Sequence, residues 1–334
     1  MRRRRGGCVA VRRFASLAAI AAFILPTAGL RAQTSGLGRA CGSIVTGDAL
    51  AYCNLVAQTL EVTQSVATQV AAGGNPVPGS ASTLGMRIGT APRYTVAGRV
   101  TAAWADVPEV ARRDAVGASG AVFGAMSIEG GVGLFNGFTT APTIGGVGAV
   151  DLLASLGFLF LPGDRGFRSR TPYTFGVGAR LGFLRESFTV PGVSVSAMYR
   201  RIGSMTLGDP NTITADGYFT TNPWVLSLRG TVGKRIAAVG LLVGGGYDRA
   251  SSDVRLGVAG SGLGGPVSTR LDGFATSRYS AFLNASVTAL VLHGVLELGW
   301  LGGGDRVSDV FPSGVSFDPG RGSFYGSLAA RLTI

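Results

Sequence analysis

The sequence is short of charge: Asp, Glu, Lys and Arg make up 14% of its 334 residues, against ~25% in a typical soluble domain. Hydrophobic residues are an ordinary 46%. That content is too high, and the charge too sparse, for a disordered chain. Lysine is nearly absent, since Lys234 is the only one among 30 basic residues. Histidine occurs once, as His293, so the commonest general base is confined to one position. Two segments, 145–162 and 287–301, are apolar enough to suggest membrane helices, but Asp151 interrupts the first and His293 and Glu297 the second. An unpaired acid in the middle of a membrane helix is costly.

Glycine is abundant. Its 54 occurrences are about 16% of the chain, roughly twice average usage. They follow no three-residue period, which excludes collagen. Each Gly inside a helix costs ~1 kcal/mol relative to Ala, so a helix-rich fold is disfavoured. The composition leaves a β-rich protein whose surface need not face water.

Residues 1–32 read as a secretory signal. Arg2–Arg5, Arg12 and Arg13 form a basic head, 14–25 is apolar, and Leu30-Arg31-Ala32 offers a cleavage site. An uncleaved anchor is the alternative, although the apolar run is short for one. The segment holds seven Arg and no acid, so the formal charge of +12 falls to 23 − 18 = +5 in the mature chain. No basic patch interleaved with aromatics suggests nucleic-acid binding. Cys41 and Cys53 are expected to pair as a disulfide after export to an oxidising compartment; metal binding is the alternative.

Residues 33–47 read as a loop. Asp48 is a good N-cap for a single helix over 49–72, which Gly73-Gly74 ends with Pro76 and Pro78 beyond. Its polar residues make it too hydrophilic to span a membrane. It either plugs a lumen or sits at a mouth, so 33–82 forms an N-terminal helical segment ahead of a β domain at 83–334.

From residue 83 the pattern has period 2. Tyr94, Val96, Gly98, Val100, Ala102 and Trp104 share one face, and Thr95, Arg99 and Thr101 lie on the other. Ten residues at ~3.3 Å rise ~33 Å, which a ~40° tilt reduces to about the 25 Å apolar band of a membrane barrel. The aromatic ends then fall at the interfaces. Similar strands are predicted at 93–104, 120–135, 149–161, 172–185, 193–205, 223–234, 238–249, 278–291, 293–302 and 323–334. Connections 186–192, 235–237 and 291–293 are short, and 206–222, 250–277 and 303–322 are long. A hairpin within 250–277 could extend two strands beyond the membrane. The predicted fold is an all-β, antiparallel, up-and-down transmembrane barrel of about ten strands, with twelve as the rival count.

In these features the chain resembles bacterial outer-membrane β-barrel proteins. The last strand, Ser323-Phe324-Tyr325-Gly326-Ser327-Leu328-Ala329-Ala330-Arg331-Leu332-Thr333-Ile334, strengthens the resemblance, although the family's usual terminal residue is aromatic. The resemblance implies outer-membrane lipid around the barrel and recognition of that strand by the barrel assembly machinery. An even strand number further implies that both termini are periplasmic.

Alternation turns eight charges inward: Arg99, Glu129, Asp151, Arg180, Arg229, Asp248, Glu297 and Arg331. Four bases balance four acids, either as ion pairs that close a narrow barrel or as a ring that selects a solute. Alternation gives the facing of each residue and not its height, so no pair is assigned. His293 is expected in a turn. Asp209, Asp216, Asp253, Asp305 and Asp309 read as solvated loop acids. No catalytic site, metal site or cofactor is expected. The favoured function is a narrow channel for a small or hydrophobic solute. The alternative is a non-transporting structural or surface-interaction barrel.

Overall fold

A computed structural model describes residues 31–86, 91–110, 118–140, 145–169, 171–209, 217–259, 265–312 and 317–334. Nearly all of the expected export signal, and Asp216, lie outside them. Two helices, α1 (Arg31–Gly42) and α2 (Gly47–Ala72), precede twelve strands. These are β1 (Tyr94–Pro108), β2 (Ala118–Phe135), β3 (Ala149–Phe160), β4 (Tyr173–Leu184), β5 (Gly192–Ile202), β6 (Met205–Leu207), β7 (Gly217–Thr221), β8 (Trp224–Ile236), β9 (Val239–Val258), β10 (Val267–Ala289), β11 (Leu292–Leu301) and β12 (Ser323–Thr333).

Ten strands close into an antiparallel barrel in the order β1-β2-β3-β4-β5-β8-β9-β10-β11-β12, and β12 returns to β1 with Val96 opposite Leu332 and Trp104 opposite Phe324. The two remaining strands lie outside that ring. β7 pairs with the far end of β9, where β8 has stopped, and β6 pairs with β7. The expected hairpin extension is present: β9 and β10 stay paired out to Val258 and Val267.

The alternation follows from the pleat, which sends successive side chains to opposite faces. β1 alternates exposed and buried residues along nearly its whole length. Its outward Tyr94, Val96, Val100 and Trp104 are exposed, as are Leu152, Leu156, Phe158 and Phe160 on β3 and Phe175, Val177 and Leu181 on β4. An apolar surface of this extent is far larger than the patches soluble proteins leave bare. Inward glycines make room for rings from neighbouring strands: a Cβ at Gly244 would lie 2.3 Å from the Phe282 ring, and one at Gly299 would lie 2.3 Å from Tyr325.

The N-terminal region differs from the expected single helix, because 31–42 is helical. Gly36 and Gly38 depress helix propensity, but packing outweighs them. Leu37 and Cys41 are fully buried, and a Cβ at Gly38 would lie only 3.0 Å from the Val307 carbonyl oxygen. The Cys41–Cys53 disulfide ties α1 to α2. His293 also differs: it is the second residue of β11, buried and facing in, and its Nδ1 lies 2.9 Å from Thr288 Oγ1.

The lumen and its plug

Helix α2 lies inside the barrel. Every residue from Ala51 to Ala72 except Val62 is buried. No described helix is long and apolar enough to cross a membrane. Several polar residues of α2 bond to the wall, to the residues after β1 and to the 302–312 connection. Tyr52 donates to the Val110 carbonyl, Gln58 accepts from Val307 N–H at 2.8 Å, and Asn54 donates to the Val310 carbonyl at 3.0 Å. Ser252 donates to Gln64 at 2.6 Å, and Arg278 pairs with Glu61.

The lumen has two zones. Around α2 it is an apolar core in which Leu55, Val56 and Leu60 meet Phe123, Phe167, Ile202, Phe219 and Leu256. Phe167 stands edge-on to Phe123 and Phe219, at centroid distances of 6.3 and 6.2 Å. Each such side chain stabilises the fold by roughly 1.5–3 kcal/mol through burial. The helix is therefore part of the core. Beyond it, at the end where β1 begins, residues 73–85 run as irregular backbone, and the wall there is charged.

Gly73 ends α2 at φ +62°, and its N–H returns to the Gln69 carbonyl at 2.8 Å. From this point the backbone lacks helical or sheet partners, and buried N–H and C=O groups need them. Wall side chains supply them. Arg229 donates to the carbonyls of Gly73 and Gly74, each at 3.0 Å. Glu297 accepts from Gly74 N–H at 2.8 Å and Asn75 N–H at 3.0 Å, and Asn284 donates to it at 2.8 Å. Arg99 donates to the Asn75 carbonyl. Arg331 donates to the Pro78 carbonyl at 2.7 Å, and Arg180 to the Ser80 carbonyl at 3.2 Å. Both oxygens of Asp151 accept from Leu84 N–H at 3.0 Å.

Glu129 and Asp248 hold two of these arginines. Glu129 lies 3.3 Å from Arg99, and Asp248 lies 2.8 Å from Arg229. Asp151 and Arg180 form the third pair at 2.7 Å. All eight charges singled out from the sequence are buried on the inner wall. Six of them contact the 73–85 backbone directly. Two buried lumen arginines stand outside that set. Arg278 pairs with Glu61 of α2, whereas Arg200 has no hydrogen-bond partner at Nε or Nη2. Arg200 occupies an inward position of β5, so the same alternation could have found it. Arg278, opposite Asp248, shares the inward face of Ser280 and Asn284 on β10, so alternation could have found it too.

The two ends of the barrel differ. Tyr94 and Ile334 sit together, each donating to the other's carbonyl at 3.0 Å, at the end that carries the tight turns 237–238 and 290–291. Helix α1 packs at the opposite end, near Leu271 and Val307. The first described residues and the C-terminus therefore lie at opposite ends, because 47–86 threads the lumen. Among the described residues, no group of three His, Cys, Asp or Glu side chains could hold a metal ion.

A closed antiparallel barrel with an apolar exterior and a charged, occupied interior is a bacterial outer-membrane β-barrel in architecture. No family model and no curated protein matches the sequence. Similar solved structures include the translocator domain of the autotransporter NalP from Neisseria meningitidis, at 12% identity and TM-score 0.35, covering 73% of this chain and 88% of that one. The toluene transporter TodX of Pseudomonas putida follows at 10% identity and TM-score 0.31, covering 77% and 96%. The attachment invasion locus protein Ail of Yersinia pestis aligns at 8% identity and TM-score 0.29, covering 73% and 98%.

Proposed function

We propose that the protein is an outer-membrane barrel closed by its own N-terminal segment, and that it serves as a non-transporting anchor. It presents the disulfide-tied α1–α2 head and the β9–β10 hairpin at the long-loop end. The observation that carries this reading is the set of six wall charges bonded to the 73–85 backbone. Hydrogen bonds to charged groups contribute about 1.5–3 kcal/mol each. Withdrawing the segment would also leave buried charges without partners, which is more costly still. A solute passing through the lumen would have to displace both that segment and the apolar core around α2.

In this reading the plug runs from 33 through Leu84, slightly past the expected 82/83 boundary, the ten-strand ring from β1 to β12 forms the wall, the barrel sits in outer-membrane lipid, and the assembly machinery reads β12. Long loops face outward in such barrels, so α1 lies on the outer side and Ile334 on the periplasmic side. Planar-bilayer recording of the full chain tests the proposal. Insertion without conductance steps is expected, and steady single-channel steps would overturn it. A gated channel for a small or hydrophobic solute is the second reading. It draws on one observation, that 73–84 joins no sheet and is held only through side chains and caps.

A further inference from the structure

A polar cavity of about 220 Å³ lies at the tight-turn mouth of the barrel, between the wall and plug residues Gly79–Leu84. Four arginines line it, each from a different part of the wall. Arg93 directly precedes β1, Arg185 directly follows β4, Arg235 is near the end of β8, and Arg331 is near the end of β12. Glu186 is the only side-chain carboxylate among the described lining residues. One of its oxygens is already taken by the Arg235 backbone N–H. Asp151, the nearest buried acid behind the cavity, is committed to Arg180 and the Leu84 N–H.

The donors here are incompletely used. Arg331 is 5% exposed, gives Nη1 to the Pro78 carbonyl, and has no partner at its buried Nε. Arg185 gives Nη2 to the Asn136 carbonyl at 2.9 Å, and its buried Nε is also unpartnered. The buried Thr83 hydroxyl is a third donor without an acceptor. The side chains of Arg93 and Arg235 bond to no acceptor among the described residues. Among the described lining residues, four guanidinium groups face one side-chain carboxylate, so the side chains of the mouth are net positive. Buried donors of this kind are costly unless an acceptor fills the space.

We propose that this mouth binds a phosphate-bearing anion, which bridges the barrel wall to the plug. Guanidinium forks match the geometry of phosphate oxygens, and several of them can share one tetrahedral anion. A phosphate oxyanion in the cavity would be met by the exposed guanidinium groups of Arg93 and Arg235 and would offset most of the excess charge. The source is either free phosphate in the periplasm or a lipid headgroup at the inner edge of the membrane.

The test is thermal unfolding of the full chain in a phosphate-free sugar detergent, titrated with inorganic phosphate against chloride at equal ionic strength. A saturating rise in midpoint with phosphate and none with chloride is expected. The Arg185→Gln/Arg235→Gln double variant should need at least tenfold more phosphate for the same rise. The exposed Arg255→Gln variant, at the other end, should respond like the parent. A parallel arm replaces phosphate with phosphatidylglycerol. A rise with lipid alone assigns the headgroup, and a rise with free phosphate assigns the soluble ion. Equal responses to phosphate and chloride, an undiminished response in the double variant, or no response to either source would each overturn the proposal.

Discussion

Asp151 on β3 and Arg180 on β4 are direct cross-strand partners, 2.7 Å apart and both fully buried, and the same carboxylate accepts the Leu84 N–H of the plug. One wall residue thus neutralises its neighbour and fixes the plug. Removing one member of a buried pair typically costs ~3–5 kcal/mol, because the other is left charged and unpaired. Asp151→Asn should lower unfolding stability in detergent by that amount. An Asp151→Leu/Arg180→Met double variant should recover much of the loss at the wall and keep the missing plug contact. Equal losses in the single and double variants would show that the pair is not coupled.

Gly74 marks a close approach of plug and wall. A Cβ there would lie 2.6 Å from Glu297 Oε2, so the carboxylate that caps Gly74 and Asn75 would have to move. Gly74→Ala should therefore destabilise the barrel by about 1–3 kcal/mol, the range for overfilled sites. Its planar-bilayer record should show leak events absent from the parent. Gly98 faces outward with nothing within 4 Å of an added Cβ, and Gly98→Ala should change stability by no more than about 0.5 kcal/mol.

The barrel was legible because two periods differ so clearly. Tyr173, Phe175, Val177, Leu181 and Phe183 step by two along β4, and each is exposed on the outer face. Ten strands and the β9–β10 extension could be placed on that pattern. The helical head was not legible, since Gly36 and Gly38 in α1 argue locally for a loop, and only the close Val307 carbonyl beside Gly38 shows the packing that overrides them. Nor was the partner of the wall charges. Their alternation is visible in sequence, but Arg229, Glu297 and Arg331 bond to backbone atoms of 73–78, and backbone acceptors leave no side-chain signature. The apolar zone around α2 was hidden for a related reason. It is assembled from Phe123, Phe167, Phe219 and Leu256, which are far apart in sequence, and two of them lie outside the barrel ring.

The Cys41–Cys53 disulfide closes a short loop between α1 and α2. A loop of about 15 residues stabilises its fold by ~3 kcal/mol in the chain-entropy model. The effect should stay local, because α2 is held separately by the core. Cys41→Ser should leave the thermal midpoint of the barrel almost unchanged and make 31–46 susceptible to added protease. Limited proteolysis followed by mass spectrometry of the N-terminal fragment reads this directly. Loss of the folded barrel in that variant would instead show that the barrel depends on the packing of Leu37 and Cys41 into the core.

The outward face of β3 tests whether the barrel meets lipid. Leu156 is 61% exposed near the middle of that strand, while Ile236 is 75% exposed at the tight-turn end of β8. Both are large, apolar and open, so a soluble barrel would tolerate a charge at either, and would even gain solubility from it. In a bilayer the two positions differ by depth. Arg at the midplane of a membrane barrel costs about 2–4 kcal/mol, and Arg near an interface about 0–1 kcal/mol. Leu156→Arg should therefore destabilise the lipid-reconstituted protein by several times more than Ile236→Arg. Urea unfolding from vesicles measures the difference. If both variants cost the same, the apolar face meets something other than a bilayer with a defined midplane, and the membrane reading of the exterior fails.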